Sequence, residues 1–305
     1  MFRKLLRIAL VVMATVGSLV MPGCSNQPSL SRPDGKTQKA GTGGKAKALP
    51  QEMSRTQEAA VGSKTQSLPG EIAVDLGGGV KLELVLIPAG DFVMGTPDER
   101  RVTQMQHRVR ITKQFHLGKY QVTQEQWEAI MGNNPSNFKG PRNPVEKVSW
   151  NDCQQFLAKL NEKFKVQAGR FQLPTEAQWE YACRAGSTTR YRFGDDKSEL
   201  DEYAWYSLNS DRTTHPVGEK KRNAWGLYDM HGNLWEWCQD WYDDEYYANS
   251  AIDDPTGPAI GTGRVGRGGS WSFPADGCRS AFRFIFSPEL RHDALGFRVS
   301  LVPSE

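Results

Sequence analysis

From about residue 185 to its C terminus, the 305-residue chain shows no long helical period. That stretch is dense in Gly, Trp, Tyr, Pro, Asn and Asp. It has to hold itself together with aromatic packing and irregular loops, to which ions can add, because no amphipathic stripe is there to do it. Upstream, three short helices have readable starts. Thr123-x-x-Gln126 and Thr175-x-x-Gln178 are capping boxes, in which a hydroxyl and an amide satisfy orphan helix N–H groups. Ser149-Trp150-Asn151-Asp152 opens a third helix, with Cys153, Phe156, Leu157 and Leu160 at helical spacing. Val80 to Ile87 alternates and then runs apolar, which predicts a half-buried strand, and Gly90 to Gly95 predicts a second. The expected fold class is α+β with much irregular coil.

Domain organisation follows from composition. Residues 1–24 carry Arg3, Lys4 and Arg7, then an apolar run of about 13 residues from Ile8 to Val20, then Met21-Pro22-Gly23-Cys24. This reads as an export signal ending at a lipidated cysteine; an ordinary cleaved signal peptide is the alternative. Residues 25–70 are rich in Ser, Gly, Lys, Gln and Thr, with almost no large apolar side chains, so they form a disordered tether. Residues 71–305 are expected to form one folded domain. The location implied is the periplasm or cell envelope, with the membrane reached through lipid on Cys24.

Charge excludes one class of function. The formal net charge is +3, but the basic surplus lies in residues 1–70, and residues 71–305 have four more acids than bases. Nucleic-acid binding by the folded part has no electrostatic support. HExxH, P-loop and dinucleotide fingerprints are absent from the sequence.

More specific are ordered motifs: Ile87-Pro88-Ala89-Gly90-Asp91-Phe92-Val93-Met94-Gly95, Tyr120-Gln121-Val122-Thr123, Gln172-Leu173-Pro174-Thr175-Glu176, Gly226-Leu227-Tyr228-Asp229-Met230-His231-Gly232-Asn233-Leu234-Trp235-Glu236-Trp237, Arg267-Gly268-Gly269-Ser270-Trp271 and Leu295-Gly296-Phe297-Arg298-Val299. From about residue 80 to 302 the chain resembles the formylglycine-generating enzyme, or sulfatase-modifying factor, family. The resemblance implies a variant of the C-type lectin fold. It also implies oxidation of a cysteine in an extended sulfatase-type peptide or protein substrate by O2, at Cu(I) held by two cysteines. Soft Cu(I) suits thiolates.

In this chain Cys278 takes the second cysteine position, Phe273 stands at the first, and Ser270 matches the family's active-site serine. The expectation divides accordingly. One reading is an oxidoreductase whose metal is held by Cys278 beside Ser270, and it requires that sulfur to face an open cleft. The other is a non-catalytic, envelope-tethered module that recognises protein or glycan. The resemblance further implies a structural Ca2+ held by Asp229 and Glu236 side chains and by the Gly232 and Leu234 carbonyls. A second calcium region, from Ala204-Trp205 onward, has lost the expected residues. Cys153, Cys183, Cys238 and Cys278 allow three full pairings, a Cys183–Cys238 bond among them. Growth with a palmitate analogue is expected to label the full-length protein at Cys24; labelling indifferent to Cys24→Ser removes the anchor.

Overall fold

Which backbone groups find partners, in a chain with so little helix, decides the architecture. The computed structural model describes residues 70–97, 104–164 and 169–303; the export signal, Cys24 and the tether up to residue 69 lie outside them. Strands β1 (Glu71–Gly77) and β2 (Val80–Ile87) form a hairpin, and β3 (Gly90–Met94) pairs with β4 (His107–Ile111) as a separate ribbon. After β5 (Phe115–Gly118) come helices α1 (Gln124–Met131) and α2 (Trp150–Lys163), strand β6 (Gly169–Gln172) and helix α3 (Glu176–Arg184). Five short strands follow: β7 (Trp235–Trp241), β8 (Arg264–Arg267), β9 (Arg283–Phe286), β10 (Leu295–Gly296) and β11 (Ser300–Pro303).

All three predicted helix starts are present with both halves of the capping box. The Thr123, Ser149 and Thr175 hydroxyls accept from the N–H groups of Gln126, Asp152 and Gln178, whose side chains accept in return. Strand β2 buries Leu82, Leu84, Val85 and Ile87, as its pattern predicts. Strands β7 to β11 had no legible pattern. They are two to seven residues long, and β7 buries five of its first six residues, so inside–outside alternation never develops.

The C-terminal strand closes the molecule. In the five-stranded sheet the order is β1-β2-β5-β11-β6, so β11 inserts between β5 and β6. The second sheet, β10-β7-β8-β9, is antiparallel except for the short parallel pair β10–β7. Between the first sheet and helices α1 and α2 lies the larger core, where Phe156 stacks on Trp127 and meets Phe297 edge-on. A second core joins β2, β5 and α3 around Trp179 and Val265. A small third cluster holds Tyr191, Leu200, Ala204, Tyr206 and Cys278.

Buried charge ties α3 to the strands. Arg267, fully buried, donates to Glu180 and, at 3.3 Å, to Glu176. Arg283 grips both Glu176 oxygens, at 2.9 and 2.8 Å. Glu180 also accepts from Arg184 at 2.8 Å and from the Gly95 N–H at 2.9 Å. One alternating ladder therefore connects α3, β8, β9 and the end of β3. Removing one member strands its neighbours. Arg267→Met is expected to cost about 3–5 kcal/mol, because two buried carboxylates lose their shared cation. Urea denaturation measures it, and a loss below about 1 kcal/mol, the range of exposed pairs, would contradict the ladder's structural role.

Candidate functional site

The loop after β8 turns on two left-handed glycines, Gly268 and Gly269, at φ 96° and 76°. Gly269 packs against the thiol: a Cβ there would meet the Cys278 Sγ at 2.6 Å. No larger residue fits, and the sulfur lies directly beneath the main chain. Cys278 is 0% exposed. Burial pushes its thiol up to about 12, against the Ser270 backbone N–H, which favours the thiolate. The open cleft that the oxidoreductase reading required is absent at this sulfur. Ser270 is buried too, and its hydroxyl faces the Ser272 hydroxyl at 3.2 Å.

The two family cysteine positions also face different clusters. Phe273 packs edge-on against Trp235, with ring centroids 5.0 Å apart, at the margin of the larger core. Cys278 belongs to the small cluster with Tyr191 and Tyr206. Phe273 offers no ligand atom, and Cys153, Cys183 and Cys238 belong to the other two cores. The residues present do not fit a Cu(I) centre, which wants two converging thiolates. Among the described residues, no three His, Cys, Asp or Glu side chains gather in a way that could hold a metal. Cys153, Cys183, Cys238 and Cys278 are all buried and free, so none of the pairings left open, Cys183–Cys238 included, is formed.

His231 holds the Cys278 segment, a role its lack of metal spacing concealed. Its Nδ1–H donates to the Cys278 carbonyl at 2.7 Å and its Nε2 accepts from the Arg192 backbone N–H at 3.3 Å. Both contacts are met by one neutral tautomer. Burial, with the nearby Arg192 charge adding to it, drives the imidazole down to about 3, so the ring stays neutral and structural.

The segment from Asp229 to Glu236 builds a different kind of site. Asp229, Gly232 and Asn233 have positive φ, and a Cβ on Gly232 would meet the Trp205 carbonyl at 2.2 Å. That curl aims three carbonyls inward. The Asp229, Gly232 and Leu234 oxygens and Glu236 Oε1 all lie 3.0–3.5 Å from one atom, the Gln121 side-chain nitrogen. Asp229 differs from expectation: its backbone carbonyl faces the cage, while its carboxylate accepts from the Gly218 N–H at 2.8 Å. Burial raises that carboxyl to about 6. Glu236 is clasped by Arg298, whose Nε and Nη2 each donate at 2.7 Å, and by the Trp179 indole at 2.7 Å.

The Gln121 amide has two protons for four acceptors, and its own oxygen is buried without a partner. Turning the amide over would add that oxygen to the cage as a fifth. This donor set of carbonyls, a carboxylate and an amide oxygen fits a hard cation. Sequence reading missed Gln121. Its signal was only a polar residue inside the Tyr120-Gln121-Val122-Thr123 motif.

Comparison with known proteins identifies the family. A family model described as the sulfatase-modifying factor enzyme 1-like domain matches residues 79–301. The chaperone protein LppX of Paenibacillus barcinonensis is 30% identical over 238 residues, 62% of this chain and 78% of its own length. The formylglycine-generating enzyme of Streptomyces coelicolor is 37% identical over 173 residues, 52% of each chain. The serine/threonine-protein kinase Pkn1 of Chlamydia trachomatis is 30% identical over 245 residues, 71% of this chain and 38% of its own length. The chain thus spans about half of that enzyme and less of the kinase. Among solved structures, Treponema denticola variable protein 1 superposes with a TM-score of 0.71 at 33% identity, covering 76% of this chain and 99% of its own. PvdO from Pseudomonas aeruginosa gives 0.65 at 29% identity, covering 77% and 99%.

Proposed function

The chain belongs to the sulfatase-modifying factor family and has that family's variant of the C-type lectin fold, and from this premise we propose that it is a non-catalytic recognition module, exported and held at the cell envelope through Cys24. One observation carries the reading: the single remaining family cysteine, Cys278, is sealed under Gly269 with its thiol held protonated by burial. A thiol metal ligand has to reach the metal as thiolate. A second sulfur is missing as well, because Phe273 fills that position and packs on Trp235. What the loop and the strand β9 that follows it do offer outward is aromatic. Trp271, Phe273, Phe282 and Phe284 are partly exposed, a composition suited to gripping a peptide or glycan ring.

The deciding experiment supplies the full-length protein with Cu(I), O2 and a sulfatase-motif peptide, and follows the peptide cysteine by mass spectrometry. No aldehyde is expected. Cys278 is also expected to resist iodoacetamide in the native protein and to react once denatured. Aldehyde formation that disappears in Cys278→Ser would overturn the reading and restore the oxidoreductase.

A structural Ca2+ in the cage of the Asp229, Gly232 and Leu234 carbonyls, with Glu236 and Gln121, is part of the same proposal. It would bind the carbonyl-rich turn to the Arg298–Glu236 pair and brace the curl that β7 grows from. Calcium at about a hundred times its dissociation constant adds about 2.7 kcal/mol to a protein that binds it only when folded. The melting temperature of EDTA-treated protein is therefore expected to rise by several degrees when calcium is restored. An unchanged melting temperature would count against calcium in that cage.

A further inference from the structure

A cavity of about 470 Å3 opens beside the 218–223 loop, and neither Cys278 nor any residue of the carbonyl cage lines it. Its size falls in the range of small-molecule sites. Four cations line it, Arg192, Lys220, Lys221 and Arg222, against one lining acid, Glu219. Lys221 is paired with Glu202. The other three have no ion-pair partner among the described residues.

Two of these unpaired cations are partly buried, and burial lowers the proton affinity of both. Their positions are fixed. The Arg192 guanidinium lies 4.3 Å over the Tyr203 ring, which also stacks with Phe193 at 4.2 Å. Its Nη2 donates to the Lys221 carbonyl, and its backbone N–H is held by His231. Lys220 sits 3.7 Å over Trp205, itself stacked on His215, and donates to the Asp201 carbonyl at 2.6 Å. The loop backbone is pinned by Gly218 N–H on Asp229, Lys221 N–H on the Glu202 carbonyl at 3.0 Å, and Asn223 N–H on the Leu227 carbonyl at 2.8 Å.

Arg192 has no carboxylate acting on it, and the Asp201, Glu219 and Asp229 carboxylates that act on Lys220 do not outweigh its burial; cations held half out of water in this way are stabilised when an anion joins them. Guanidinium and ammonium groups together suit a tetrahedral oxyanion. The cavity is larger than a bare oxyanion needs, and its remaining wall is phenolic, from Tyr203 and Tyr228. We propose that this cavity binds a sugar carrying a phosphate or sulfate ester, with the ester among Arg192, Lys220 and Arg222 and the sugar against the phenolic edges of Tyr203 and Tyr228. The inference is independent of whether Cys278 takes part in chemistry.

Calorimetry on the full-length protein at low salt tests it, with glucose 6-phosphate, glucose 6-sulfate, inorganic phosphate and glucose as probes. At least one ester is expected to bind, more tightly than inorganic phosphate, while glucose does not; the tighter ester identifies the oxyanion. Lys220→Gln/Arg222→Gln is expected to weaken that binding by about tenfold or more, equivalent to about 1.4 kcal/mol, without moving the melting temperature. Arg222→Gln alone, at an exposed position, serves if the double variant unfolds. Failure of both esters to bind, equal binding of glucose, inorganic phosphate binding as tightly as the esters, or unaltered affinity in the variants would each overturn the proposal.

Discussion

Buried arginine–glutamate pairing is the constraint on which this coil-rich domain depends. Arg267, Glu176, Glu180, Arg283 and Arg184 form one assembly, and Arg298 with Glu236 forms another. Each arginine also takes up carbonyls that no helix or sheet satisfies. Arg267 donates to the Ser280 and Ala281 oxygens, and Arg298 to those of Gly118 and Tyr228. A guanidinium has five N–H donors in a fixed fork, so one side chain can organise several loop segments at once. Such pairs add little net stability over a well-packed apolar core, but they tolerate no loss of a single partner. In loops without repeating backbone bonds, that intolerance selects one arrangement.

The same scaffold sets the surroundings of the cysteine kept at a family position. Cys278 remains, yet the double-glycine turn lies directly on its sulfur and His231 fastens its carbonyl. With Phe273 drawn toward Trp235, the loop packs as a hydrophobic corner between two cores. The proposed recognition role relies on what this packing leaves outside, aromatic edges on one loop and unpaired cations on another. Neither needs a reactive group.

Much of the fold was legible beforehand. The three capped helices and strand β2 announced themselves through local chemistry, because a cap or an alternating pattern acts within a few residues. Strands β7 to β11 did not, since each is short and none sustains an inside–outside alternation along its length. In the candidate site, Gly232, Leu234 and Glu236 were readable from one motif. Gln121 was not, because it comes from a segment more than a hundred residues away and works through an amide that looks ordinary in sequence. The Asp229 carboxylate, expected to face an ion, points elsewhere. The residue's positive φ turns the carbonyl into the cage and leaves the carboxylate to cap Gly218.

By itself, the sequence determined the family, the helix starts and the loss of one sulfur at Phe273, since these depend on residue identity and near neighbours. Only the tertiary structure decided that Cys278 is sealed and that Arg192, Lys220 and Arg222 share one cavity. Burial and desolvation are properties of the surroundings, and those surroundings are assembled from segments that sequence order keeps far apart.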